Sequence, residues 1–154
     1  MKVRQAVIND ATEISEFLEQ LVSLGKRTNP SDRDYVRAHY IADSDNIQCS
    51  VAEDIDGTIL GFQILKVATE GNPYGVAVGW GIIGTHVRPD TARRGVGKTL
   101  FVATRKAAID AGLKKIDATI AATNFDGQSY YDALGFHTYR TPEGKVCKCF
   151  EVTA

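Results

Sequence analysis

The sequence predicts an α/β fold: one domain over residues 1–154, with elements in the order β-α-α-β-β-β-α-β-α-β-β. Three observations predict it. Segments with apolar residues at helical spacing alternate with short apolar runs bounded by turn residues. Two of those runs flank "DIDG", where Asp56-Gly57 marks a tight hairpin. No repeat, linker or low-complexity stretch divides the chain, and 154 residues bury a core without covalent staples.

The elements follow in order. "KVRQAV" reads as an opening strand. In "NDATEISEFLEQLVSLG", Ile14, Phe17, Leu18 and Leu21 share one helical face, with Asp10 and Glu13 placed as a capping pair and Gly25 as the stop. "PSDRDYVRAHYIAD" is a second helix opened by Pro30 or Ser31, with Val36, Tyr40 and His39 turned inward. "IQCSVAEDIDGTILGFQILKVA" is the hairpin. "VAVGWGIIGTHV" is a strand ending at Val87, interrupted by Gly79, Gly81 and Gly84. Glycines there mark a ligand beside the backbone or close packing of another chain segment. Lys98 to Ala111 is helical, with Leu100, Phe101 and Ala107 inward and Gly112 as its stop. "KKIDATIAAT" is a strand, "NFDGQSYYDALG" a helix, and "FHTYR" and "KVCKCFEV" pair around "TPEGK".

Hydrophobic residues at 44%, charged residues at 24% and a net charge of −1 describe a globular protein, not a general nucleic-acid binder. "MKVRQAVINDATE" lacks the apolar segment of a signal peptide, and Gly71–Thr85 is too short and glycine-rich to span a bilayer. Cys49, Cys147 and Cys149 are too few for a disulfide framework, and the Cys147-x-Cys149 pair lacks companion metal ligands. A cytoplasmic protein with reduced thiols, no metal, no nucleic-acid partner and no membrane association is expected.

"ARRGVGKT", residues 92–99, admits two readings. It approaches the phosphate loop of nucleotide hydrolases, G-x-x-x-x-G-K-[ST], with Ala92 in place of the first glycine. That loop needs a following strand that ends in a magnesium-holding acid, yet Asp117 lies mid-strand and only 55 residues follow Thr99. The second reading is a basic turn whose helix holds the pyrophosphate of another cofactor. Gly95 and Gly97 let the backbone approach phosphates, and Arg93, Arg94 and Lys98 add charge-assisted donors.

Val87, Pro89, Gly95 and Gly97 match V-x-P-x-x-[RQ]-x-x-G-x-G, and Asn124, Gly127, Tyr131, Gly135 and Phe136 match N-x-x-[small]-x-x-x-Y-x-x-x-G-F. Together, in this order, they resemble the signatures of the GNAT superfamily of acyl-CoA N-acyltransferases. One position departs: Ala92 stands where the family carries Arg or Gln. The resemblance implies a mixed, mostly antiparallel sheet of about seven strands with four helices and a splayed central strand pair. It implies acetyl-CoA as co-substrate, with its pantetheine arm beside Thr85, His86 and Val87. The pyrophosphate would lie on Arg93, Arg94, Gly95, Val96, Gly97, Lys98 and Thr99, and Asn124 and Tyr131 would reach the pantetheine.

Acetyl transfer to a primary amine of a small molecule, amino acid or peptide, by direct attack in a ternary complex, is the expected activity. Aminolysis of a thioester expels a thiolate that a phenol can protonate; the family's acid aligns with Tyr131, with Tyr130 as the alternative. A lysine-like amine must first lose a proton, at a cost of about 4.6 kcal/mol at neutral pH. No carboxylate lies between Tyr74 and Val87, so the base is left among water, Glu70, His39 and His86, the last equally readable as a structural histidine. Trp80, Tyr74 and Tyr40 are candidates for the acceptor pocket. None of the cysteines neighbours a histidine in sequence, which disfavours an acyl-cysteine route. The missing carboxylate also motivates a non-catalytic acyl-CoA sensor, and the last hairpin offers an edge for a homodimer.

Overall fold

A computed structural model describes residues 1–91 and 94–153. The elements are β1 (Lys2–Gln5), α1 (Ala11–Ser23), α2 (Arg33–Val36, extended by a π turn Arg37–Ile41), β2 (Asn46–Glu53) and β3 (Ile59–Val67). Then come β4 (Gly81–Val87), α3 (Val96–Asp110), β5 (Lys115–Ala121), α4 (Phe125–Leu134), β6 (His137–Arg140) and β7 (Lys145–Glu151). The strands form one seven-stranded sheet in the order β1-β2-β3-β4-β5-β7-β6. Every neighbouring pair is antiparallel except β4–β5 at its centre.

Strand alternation sends apolar side chains to both faces of this sheet. On one face Ile14, Phe17 and Leu18 of α1 and Val36 and Tyr40 of the α2 region cover Cys49, Val51, Phe62 and Ile64. On the other, Phe101 and Ala108 of α3 and Tyr131 of α4 pack on Leu65, Ile83, Ile116, Ala118 and Ile120. No helix of the described residues is long and apolar enough to cross a membrane.

Several local expectations are corrected. Asp10 does not cap α1 through its side chain. It accepts from the Val7 N–H at 2.7 Å and from two Arg4 nitrogens at 2.9 Å each. Glu13 reaches away from its helix to the Ile59 N–H at 2.7 Å and Arg88 at 2.9 Å. Cationic partners displaced the local capping pair because charge-assisted bonds are the stronger ones. The second helix starts at Arg33, capped by Asp32, because Ser31 is buried and accepts from the Arg27 Nε at 2.9 Å. His39 is exposed, stacked on Tyr35 with ring centroids 3.9 Å apart.

The strand before Val87 begins only at Gly81. Gly79, at φ 92°, turns the chain, and the Gly79 N–H to Ala68 carbonyl bond of 2.9 Å closes that turn. Gly81 serves packing: a Cβ there would sit 2.9 Å from Leu113 Cδ1 and 3.0 Å from Leu65 Cδ1. Helix α3 starts at Val96, two residues before the expected Lys98, because Gly95 takes the left-handed conformation at φ 77° and turns the chain into it.

Candidate functional site

The central parallel pair opens almost as soon as it forms. Its ladder holds Gly81 opposite Ile116 and Ile82 opposite Asp117, and no further pair along β4 and β5. The Arg88 N–H bonds the Leu60 carbonyl at 2.7 Å. Antiparallel alternation therefore turns the peptide groups of Ile82, Gly84 and His86 toward β3, and those of Ile83, Thr85 and Val87 toward the side of β5. Beyond Ile82 these latter groups face a gap where β5 would otherwise continue the ladder. An extended amide-bearing chain can bond there as an added strand does.

Tyr131 reaches the same gap from α4. Its hydroxyl lies 2.8 Å from the Thr85 Oγ1. Helix α4 is set by Asn124, whose side-chain oxygen accepts from the Gly127 N–H at 2.9 Å, and by Gly135, which ends it at φ 103°. A Cβ at residue 127 would stand 2.6 Å from Asn124 Nδ2, so the glycine leaves room for the cap. Tyr131 is buried, and burial raises its phenol well above the ordinary tyrosine value, offset in part by the Thr85 bond. Its proton is therefore held more tightly than that of an ordinary tyrosine.

Tyr130, its neighbour, is tied elsewhere. Its hydroxyl donates to the Gly97 carbonyl at 2.6 Å and accepts from Gln63 Nε2 at 3.0 Å. Burial raises its phenol to about 12, while the Gln63 bond lowers it. Gln63 Nε2 also donates to Thr85 Oγ1 at 2.9 Å. Gln63 was not singled out from sequence. Its only signal is one amide inside the apolar run "ILGFQIL" of β3.

The helix entrance lies at the end of β4. The N–H groups of the first turn of α3 have no acceptor within that helix, and its dipole adds positive potential there. Among the described residues no heavy atom lies within 4 Å of where a Gly95 Cβ would be. Val96 contributes backbone only, since its side chain packs with Ala52, Leu60 and Leu100. The Thr99 hydroxyl donates to the Gly95 carbonyl at 2.8 Å. Arg94 is exposed and pairs with Asp54 at 3.0 Å, while Lys98 is exposed with no ion-pair partner among the described residues. Ala92 and Arg93 lie outside the described residues.

His86 is placed apart from this cluster. Its ring packs on Phe62, centroids 4.8 Å apart, and beside Tyr40 at 5.4 Å, on the face opposite Thr85 and Tyr131. Burial pushes the imidazole down to about 3, and the Arg27 cation adds to this, so it is neutral and a feeble proton acceptor. Tyr40 is a core residue whose hydroxyl accepts from Arg27 at 2.8 Å. Trp80 packs on Tyr139 at 5.4 Å, Tyr74 is half-exposed, and Glu70 is exposed in the segment after β3.

Comparison with known proteins agrees with the fold. The chain is similar over 97% of its length to a GCN5-related N-acetyltransferase from Kribbella flavida, with 96% of that chain covered, 22% identity and a TM-score of 0.79. A phosphinothricin acetyltransferase from Sinorhizobium meliloti, solved with acetyl-CoA, gives a TM-score of 0.78 at 18% identity over 98% of this chain and 88% of that one. The PaiA N-acetyltransferase from Thermoplasma acidophilum, solved with coenzyme A, gives 0.74 at 18% over 97% and 98%. At these identities the likeness is one of fold. No curated protein sequence matches the chain. Residues 14–136 match the acetyltransferase (GNAT) family, covering the sheet centre, the helix entrance and Tyr131 alike, and the chain belongs to that family.

Proposed function

We propose that this protein moves an acetyl group from acetyl-CoA to a primary amine of a small molecule, amino acid or peptide by direct attack in a ternary complex. One observation carries the reading: the Tyr131 hydroxyl, paired with Thr85 at 2.8 Å, stands where β4 and β5 part, downstream of which a helix entrance begins. The residues fit the co-substrate. Peptide groups of Ile83, Thr85 and Val87 suit the amides of a pantetheine arm, and the first turn of α3 with Lys98 and Arg94 suits a pyrophosphate. The Kribbella, Sinorhizobium and Thermoplasma structures support that fit by fold, and the latter two hold such a molecule.

Bound acetyl-CoA supplies an activated acyl group on a thiolate leaving group. The chain's own residues then do three things. Backbone groups of β4 hold the arm in the gap, the α3 entrance fixes the phosphates, and Tyr131 offers its proton. As the amine lone pair forms the C–N bond, the C–S pair departs on sulfur, and Tyr131 protonates that sulfur. The proton shed by the amine nitrogen passes to water, and the phenol is reprotonated from solvent. Among the described residues no side chain at the gap is a competent base: His86 lies on the other face with its proton affinity suppressed. Amine deprotonation before binding is then the simplest route.

A panel of amines and amino acids with acetyl-CoA, reading released thiol, tests the proposal. Turnover with at least one class, lowered by Tyr131→Phe, supports it. Tight coenzyme A binding with no turnover across the panel replaces it with a sensing module.

A further inference from the structure

We infer that Gln63 is a positioning residue that fixes the direction of a hydroxyl chain so that the Tyr131 O–H stays free for the departing sulfur. The inference rests on the reading of Tyr131 as proton donor.

Hydrogen-bond valence gives the direction as far as Thr85. The Gly97 carbonyl can only accept, so at 2.6 Å it takes the single proton of Tyr130. The Tyr130 oxygen must then accept from Gln63, and the atom facing it at 3.0 Å must be the amide nitrogen. That nitrogen has a second proton, which goes to Thr85 Oγ1 at 2.9 Å. Thr85 is now an acceptor on one side, and on its other side stands the Tyr131 oxygen at 2.8 Å. In the inferred direction Thr85 donates to Tyr131, the polarity that a donor on the other side of its oxygen favours. A phenol oxygen that accepts this bond keeps its own proton for a third group, and each bond in such a chain polarises the next.

Two facts say that the arrangement was kept for more than packing. Gln63 is completely buried, in an otherwise apolar stretch of a central strand. Its Oε1 has no hydrogen-bond partner among the described residues. Holding the amide with its nitrogen toward the hydroxyls leaves that carbonyl unpaired, a penalty that methionine of similar size would avoid. The anchor of the chain is also telling: Gly97 belongs to the first turn of α3, so the phosphate end of the site and the acid end share one hydrogen-bonded path.

The test uses coenzyme A itself, so no acceptor amine is needed. The thiolate absorbance of coenzyme A bound to the full-length protein is titrated against pH, with the desulfo-coenzyme A complex as blank. A phenol donating to sulfur stabilises the thiolate and lowers the thiol pKa below that of free coenzyme A. Gln63→Met should lose about tenfold of that thiolate population, equal to about one pH unit, with coenzyme A affinity within threefold of wild type. Tyr131→Phe should lose it as well, and Gln63→Met should add nothing in the Tyr131→Phe background. Thr85→Val should repeat the Gln63→Met result and Thr85→Ser should restore wild-type behaviour, which keeps the test in hand if the glutamine variant does not fold. A titration unchanged by Tyr131→Phe overturns the acid reading beneath the inference. A titration moved by Tyr131→Phe but untouched by Gln63→Met and Thr85→Val, or moved further in the double variant, overturns the role of Gln63 alone.

Discussion

Gly97 and Tyr130 approach so closely that no side chain fits between them: a Cβ on residue 97 would lie 2.6 Å from the Tyr130 ring, whose hydroxyl donates to the Gly97 carbonyl. The two glycines of "GVG" thus answer to different constraints. Gly95 supplies a positive φ, and Gly97 makes room for an aromatic ring from the other end of the site.

Their substitutions should separate accordingly. Gly97→Ala forces Tyr130 aside and should cost about 1–3 kcal/mol, a cost that Tyr130→Leu in the same chain largely removes. Gly95→Ala strains only the backbone, at about 1–2 kcal/mol, and Tyr130→Leu should leave that cost unchanged. Urea denaturation of the four variants checks this; equal rescue of both alanines would refute the distinction.

Arg94 pairs with Asp54 at the entrance of α3, where the proposed pyrophosphate would lie. The pair is largely exposed, so it is weak and easily exchanged. Asp54→Asn should release the guanidinium and tighten coenzyme A binding about two- to fivefold at low salt, an advantage that fades at high ionic strength. Calorimetry in a salt series would show it. Unchanged affinity at all salt concentrations would mean that Arg94 does not reach the phosphates.

The rate profile should carry the signature of a buried phenol. Because burial holds Tyr131 protonated, kcat should show no alkaline decline below about pH 10, and any acidic decline belongs to protonation of the acceptor amine. Tyr131→Phe should lower kcat by roughly a hundredfold with little change in the KM for acetyl-CoA. An alkaline limb near pH 8 that vanishes in this variant would contradict the burial argument.

Stability should fall in two overlapping acid windows. Folded His86 binds a proton only near 3, against 6.5 for an ordinary histidine. Between those values the unfolded chain holds more protons, so stability drops as pH falls from 6.5, with a limiting slope of about 1.4 kcal/mol per unit. Burial alone would raise Asp10, but Arg4 and the Val7 N–H outweigh it and hold the carboxyl below 3.8. The stability from Asp10 is complete above that value and is lost as pH falls through the lower folded one. His86→Phe should flatten the first window and Asp10→Asn the second, read as urea midpoints from pH 7 to 2.5.

Much of the site was legible because its devices are local. A helix cap spans three residues, as Asn124 and Gly127 do, and a left-handed turn needs its glycine at one position, as at Gly95 and Gly135. Those constraints survive in sequence as fixed spacings. The order of strands and helices was legible for the same reason, through periodicity. Element starts were not: β4 lost its first residues to the turn at Gly79, and Asp10 and Glu13 left their expected cap for Arg4, Arg88 and Ile59.

By itself, then, the sequence determined the type and order of the elements, the family signatures and the residues that open α3 and α4, since each depends on neighbours a few positions away. Only the tertiary structure decided that His86 packs against Phe62 and Tyr40, that Gly97 shelters Tyr130, and that Gln63 links Thr85 to Tyr130 across separations of 22 and 67 residues. Side-chain hydrogen bonds are short and directional, and the partners that satisfy them are brought within reach by strand register and helix packing, which no local pattern encodes.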